Sequence, residues 1–200
     1  MQENYYDGVF NIKTKNDQKG FPDSAHYHRY EATPYLALDR LFDKYTITKT
    51  DKVIDFGCGK GRLNFYINHF FEANVVGIEM NEKLYIEALK NLDRYQKKNK
   101  KTDQIEFECC LAEEYEITSA DNRFYFFNPF SVQIFMKVIN NILRSVTNAK
   151  REVDIILYYP AKEYIYYLEH QTSFTLKEEI ALNDIYGNNI NERFLIYRLC

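Results

Sequence analysis

The sequence predicts an α/β fold: a doubly wound sheet of seven strands, five parallel and two in a C-terminal antiparallel hairpin, with helices on both faces. Three observations carry that prediction. Residues 53–62 (Val-Ile-Asp-Phe-Gly-Cys-Gly-Lys-Gly-Arg) end an apolar run abruptly in alternating glycines, after which Leu63, Tyr66, Ile67 and Phe70 recur at helical spacing. Buried strand, tight turn and helix in that order open a doubly wound sheet. Short apolar runs then alternate with helical stretches as far as Pro160, as crossovers between parallel strands require. The last two runs, residues 174–180 and 193–199, are separated only by a polar loop containing Gly187-Asn188-Asn189. With no helix expected between them, they should pair antiparallel.

Composition narrows the class. A chain of 200 residues suits one domain with a full core, and 46% hydrophobic with 28% charged residues is ordinary for a soluble protein. No apolar run approaches the ~18 residues of a membrane span, and the opening Met1-Gln2-Glu3-Asn4 lacks the basic and apolar regions of a secretory signal. Cys58, Cys109, Cys110 and Cys200 show no CxxC pair, so reduced thiols and a cytoplasmic location are expected. A net charge of −3 gives no global pull on nucleic acid. The 18 tyrosines imply many half-buried rings with wet hydroxyls.

In chain order, residues 1–24 are polar, with Gly8, Gly20 and Pro22, and read as an irregular arm in which residues 9–12 could form a short strand or clamp. Residues 25–200 read as a single domain without linker or repeat. Thr33 before Pro34 has the form of an N-cap with proline at the first helical position, and Leu38, Leu41, Phe42 and Tyr45 give a buried stripe ending near Lys44. His26 and His28 have no third partner at ligand spacing, so no metal is expected. Residues 74–79 form the second strand. Asn81 caps the next helix, whose inner face is Leu84, Ala88, Leu89, Leu92 and Tyr95. Its tail carries Lys90, Arg94, Lys97, Lys98, Lys100 and Lys101; this reads as a solvated surface rather than a nucleic-acid patch, because only Tyr95 interleaves. Residues 105–110 alternate as the third strand. Residues 124–127 are aromatic on both faces and give the fourth, followed by Asn128-Pro129-Phe130 and Ser131 as the cap of a helix burying Phe135, Val138, Ile139, Ile142, Leu143 and Val146. Residues 154–160 supply the fifth strand and residues 164–168 begin a further helix.

The glycine loop bears on the ligand. A dinucleotide fingerprint would need glycine where Arg62 stands. Asp55 would repel a pyrophosphate and attract a cation, and the second strand ends in Glu79, a carboxylate suited to ribose hydroxyls. Asp55, the alternating glycines and Glu79 together resemble motifs I and II of the class I S-adenosylmethionine-dependent methyltransferases, over roughly residues 50–160. The resemblance implies S-adenosylmethionine (SAM) as cofactor, held by Asp55, Gly57, Cys58, Gly59, Gly61, Glu79 and Met80. It also implies an acid just past the third strand for the adenine amino group; Leu111 stands there, with Glu113 and Glu114 displaced.

Asn128-Pro129-Phe130 resembles the Asn-Pro-Pro-Phe/Tyr motif of members that methylate amino or amide nitrogens, with one proline missing. The resemblance gives Asn128 and a following carbonyl the task of accepting substrate N–H bonds, and gives Phe130 the task of stacking. Tyr27, Arg29 and Tyr30 are candidate lid residues, and Lys60 and Arg62 candidate contacts for an anionic group. The expected function is methyl transfer to a nitrogen of a protein side chain, a base or a small molecule; the alternative is a non-catalytic SAM-binding partner of the same fold. The methyl acceptor is unnamed by the sequence.

Overall fold

The computed structural model describes residues 2–15, 28–99, 104–187 and 189–200. Seven strands, β1 (Lys52–Phe56), β2 (Asn74–Ile78), β3 (Ile105–Glu108), β4 (Arg123–Phe126), β5 (Val153–Tyr158), β6 (Thr175–Ala181) and β7 (Arg193–Leu199), form one sheet. Their spatial order is β3-β2-β1-β4-β5-β7-β6. The first five are parallel neighbours, and β7 runs antiparallel between β5 and β6. The order reverses between β1 and β4, where a doubly wound sheet opens its ligand crevice.

The helices are α1 (Gln2–Phe10), α2 (Tyr35–Phe42), α3 (Arg62–Phe71), α4 (Glu82–Lys98), α5 (Val132–Asn148), α6 (Lys162–Gln171) and the single turn α7 (Asn183–Tyr186). They leave a core on each side of the sheet. One gathers Phe10, Tyr35, Leu38, Phe65, Tyr66 and Tyr125; the other gathers Phe124, Phe126, Phe135, Val138, Tyr164 and Leu168. β4 sends Phe124 and Phe126 to one face and Tyr125 to the other, as the period of two demands.

The structure corrects five local expectations. Residues 2–10 are a helix, not an irregular arm or a strand: Tyr6 and Phe10, one turn apart, pack on Tyr35 and Tyr66. Tertiary contact stabilises that helix where its local pattern is weak. Thr33 does not cap α2. Pro34 occupies the cap position, Glu3 of α1 accepts the Tyr35 N–H at 3.0 Å, and the Thr33 hydroxyl bonds Tyr125 at 2.8 Å. On α4, Leu89 faces out and Asn91 is buried in its stead. The third strand stops at Glu108. α7 interrupts the loop before β7.

Candidate active site

The glycine turn joins β1 to α3 through left-handed backbone, with φ of 77° at Gly57 and 56° at Gly59, which favours glycine. A Cβ at Gly57 would lie 2.6 Å from Pro129, and one at Gly59 would lie 1.9 Å from the Tyr30 ring. The bare turn thus admits two side chains from opposite directions. The Gly57 and Cys58 amides both donate to the Ile78 carbonyl, tying the turn to the end of β2.

A cavity opens at this edge of the sheet, lined by Gly57, Glu79, Met80, Leu84, Cys110, Ala112 and Phe130, and closed above by residues 28–31. Glu79 is fixed by two backbone donors: its Oε2 accepts from Gly59 N–H at 2.9 Å and its Oε1 from Asn81 N–H at 2.8 Å. Burial raises its pKa while those N–H groups oppose the rise. Asp55 sits beneath a smaller adjoining cavity shared with Tyr30, Gly57, Arg62 and Phe127, so the strap from residue 28 to residue 33 lies over it. With the Asn64 amide turned to face it, Asp55 Oδ2 accepts a hydrogen bond at 3.0 Å. Burial, then the nearby Glu79, pushes Asp55 up to about 8. Burial, with Glu79 nearby, thus favours the protonated form of Asp55 in the ligand-free protein. Cys58 is buried and its thiol is held well above the usual range by burial and by both acids.

Asn128 begins the turn after β4 in left-handed backbone (φ 40°), and its side-chain oxygen is buried with no hydrogen-bond partner among the described residues. Its main-chain carbonyl accepts from His28 Nδ1 at 2.6 Å, so that nitrogen carries the proton; the Pro129 carbonyl accepts the His28 amide at 2.9 Å. Phe130 lines the cavity floor but is 1% exposed, packed edge-on against Phe126, with Tyr164 donating to its carbonyl. It cannot offer a face for stacking. Phe127, half-buried, is the ring nearer the opening.

The remaining lid and contact candidates divide. Tyr27 lies outside the described residues. Arg29 is exposed on the cavity wall. Tyr30 is buried over Gly59, with its hydroxyl donating to Thr14 O at 3.1 Å and its pKa raised by burial. Lys60 donates to Lys15 O at 2.9 Å and lies 5.3 Å from the Tyr30 ring centroid. Arg62 lines the small cavity over Asp55, but its guanidinium is engaged within the protein: it pairs with Glu3, donates to Thr14 and Thr33, and stacks 4.4 Å over Tyr35. Neither Glu113 nor Glu114 lines the cavity; Cys110 and Ala112 do. His28, Glu31, Leu84, Ala112 and Phe127 are site residues that pattern reading misses, although His28 stands in the segment that the sequence singles out. Among the described residues no cluster of His, Cys, Asp or Glu is arranged to hold a metal ion, and no helix is long and apolar enough to cross a membrane.

Comparison with known proteins adds three findings to this geometry. The sequence profile of a methyltransferase-domain family matches residues 47–169. A search of curated proteins finds no match. Among solved structures, a tRNA (uracil-54, C5)-methyltransferase of Pyrococcus abyssi in complex with S-adenosyl-L-homocysteine (SAH) superposes with a TM-score of 0.57 at 15% identity, over 83% of this chain and 38% of that one. The present chain thus spans well under half of that enzyme. An RNA methyltransferase of Salinibacter ruber, also in complex with SAH, gives 0.52 at 19% identity over 84% and 92% of the two chains. A SAM-dependent methyltransferase of Aquifex aeolicus gives 0.59 at 10% identity over 81% and 89%. At such identities the likeness establishes the fold.

Proposed function

The chain belongs to the methyltransferase-domain family, and from that premise we propose that it transfers a methyl group from SAM to a nitrogen of its substrate at the Asn128-Pro129-Phe130 turn. The cavity suits such a donor. Its polar anchor is the Glu79 carboxylate, its walls are Met80, Leu84 and Ala112, and the glycine backbone forms one side. Glu79 would receive the ribose hydroxyls, and Asp55 lies below the turn. Bound SAM supplies an electrophilic methyl on a sulfonium.

The single observation that carries the nitrogen assignment is the orphaned Oδ1 of Asn128. A buried acceptor without a donor is costly and rare. Beside it stand two main-chain carbonyls, of Asn128 and Pro129, that already take N–H donors from His28. A site made of acceptors orients an amine or amide by its N–H groups and stabilises positive charge growing on that nitrogen.

The test is tritium-methyl transfer into a cell lysate, with calorimetry for SAM and SAH. Asn128→Ala is expected to lower transfer by about 100-fold, the cost of losing one oriented polar group, with SAH affinity within about twofold. One observation favours a second reading, a donor-binding regulatory protein: Tyr30 and His28 cover the glycine turn and the acceptor carbonyls. Binding of SAM without transfer to any lysate component selects that reading; no heat with either ligand removes both.

A further inference from the structure

On the far side of the strap lies an open cleft between α1, residues 11–15 and α4, with Lys13, Lys15 and Arg94 among its lining residues. Two more cations border it. Lys98 Nζ reaches the Gly8 carbonyl at 3.1 Å, and Lys60 Nζ reaches that of Lys15 at 2.9 Å. Arg94 donates to the Asn91 side chain at 3.1 Å, and Lys15 to that of Asn4. The acceptors facing Lys98, Arg94 and Lys15 are neutral oxygens, so these hydrogen bonds leave the positive charge in place. Two other exposed cations of α4 behave differently: Lys90 pairs with Glu87 and Lys97 with Asp93. Among the described residues Asp7 lines the cleft and Glu87 adjoins it. Asp7 is bonded to Thr14 and Tyr35, and Glu87, held by Lys90, also lies near Arg94 and Lys60.

One residue joins the backbone at Lys13 and Lys60 to the Arg94 side chain. Asn91 is fully buried; its amide donates to the Lys13 carbonyl at 3.2 Å and the Lys60 carbonyl at 3.0 Å, while its oxygen accepts from the Lys13 N–H at 2.9 Å and from Arg94. A buried asparagine spent on joining three cation-bearing segments marks built architecture rather than scattered surface lysines. Arg94 and Lys98 stand one turn apart along α4, about 6 Å in rise. At the other end, Lys60 lies against the Tyr30 ring, and Tyr30 walls the donor cavity. The row therefore leads to the site of methyl transfer.

We propose that this cleft binds the phosphodiester backbone of a single-stranded polynucleotide whose base enters the acceptor turn, so that the substrate class is nucleic acid. The inference rests on the methyl-transfer reading for its meaning but not for its test. The net charge of −3 gives no global pull, so any attraction to a polyanion is local. Backbone contacts of this kind position a strand without reading its sequence.

The test is fluorescence anisotropy of a labelled 20-nucleotide single-stranded RNA, with the DNA of equal length as a second arm, titrated from 50 to 200 mM KCl. Lys13→Gln, Arg94→Gln and Lys98→Gln together are expected to weaken RNA binding at least tenfold at 50 mM. The salt slope should fall by about 2, since each phosphate left without its cation lowers it by about 0.7. A control neutralising the exposed Lys44, Lys49 and Lys150 should leave the slope within about 0.7 of the native value. Equal binding of the DNA arm supports a backbone reader; stronger RNA binding adds a 2′-hydroxyl contact. Absence of binding below 100 µM at about 50 mM salt, or a control that weakens it as much as the cleft variant, overturns the proposal. SAH calorimetry on each variant keeps the two questions apart, because loss of SAH heat indicts the donor site and loss of salt slope indicts the cleft.

Discussion

The donor cavity buries Glu79, and Asp55 beside it, whereas the α1–α4 cleft exposes lysines, although Tyr30 of the strap bonds to the segment that borders the cleft. Glu79 and Asp55 are 7% and 5% exposed, and each is bonded by an N–H group at fixed distance. Lys13, Lys15 and Lys98 stand in solvent. Burial makes the acids sensitive to local geometry and to protons; exposure makes the cations sensitive to salt and indifferent to small shifts. The contrast assigns different work to the two sides, orientation of a small ligand on one and attraction of a large one on the other. It also ranks what substitutions will do.

The largest effect is expected at Arg62, among the described residues the one buried cation. Arg62 is 5% exposed, and its removal would take a donor from Glu3, Thr14 and the Thr33 carbonyl at once, leaving Glu3 the Tyr35 N–H and Thr14 its bonds to Asp7. Arg62→Leu should cost about 2–4 kcal/mol in urea unfolding, below the cost of a fully buried broken pair because Glu3 is partly solvated. A loss under about 1 kcal/mol would place Arg62 with the surface lysines and erase the contrast.

Next comes Gly59→Ala. The new methyl would collide with Tyr30 in a backbone region that disfavours alanine, so about 2 kcal/mol should be lost. Exchange of the His28 amide, protected by Pro129, should quicken as the strap lifts. Unchanged exchange would show that Tyr30 does not hold the strap down.

These two positions also show what the sequence makes legible. The succession of strands along the chain, the glycine turn and the strand-end positions of Glu79 and Asn128 follow from apolar runs, glycine spacing and strand-end acids, because those signals are local. The role of Arg62 is hidden, since a cation after a glycine turn looks the same whether it meets a ligand or a glutamate from residue 3. The first helix is hidden for the same reason: Tyr6 and Phe10 are its only strong apolar pair on the buried side, and Tyr35 and Tyr66, which receive them, are distant in sequence. Phe130 reads as a platform because an aromatic after Asn-Pro carries that meaning by resemblance; that Phe126 and Tyr164 enclose it depends on packing across three elements.

A smaller effect is expected at Asp55, and its sign depends on pH. An ordinary aspartate ionises near 4, whereas folding raises Asp55 to about 8. The folded protein therefore holds a proton that the unfolded chain releases between those values, and ligand-free stability falls as pH rises from 4 to about 8. Asp55→Asn should flatten that slope and stabilise the ligand-free protein at pH 8 by about 1–2 kcal/mol. A sulfonium favours the ionised acid, so native SAM affinity should climb between pH 6 and 9 with proton release, and SAH affinity should change less. Equal pH profiles for the two ligands would mean that Asp55 does not sense the sulfonium.

The smallest effect on stability is expected where the effect on polyanion binding is largest. Neutralising Lys13 and Lys98 removes exposed charges whose neighbours are carbonyl oxygens and solvent, so urea midpoints should move by less than about 0.5 kcal/mol. Relieving repulsion within the row could even raise stability slightly at low salt, and that gain should vanish near 0.5 M KCl, where the screening length falls to a few ångströms. A cost of about 2 kcal/mol instead would mean that these lysines are structural braces for α1 and α4, and the distinction between a buried, proton-tuned cavity and an exposed, salt-tuned cleft would fail on its weaker side.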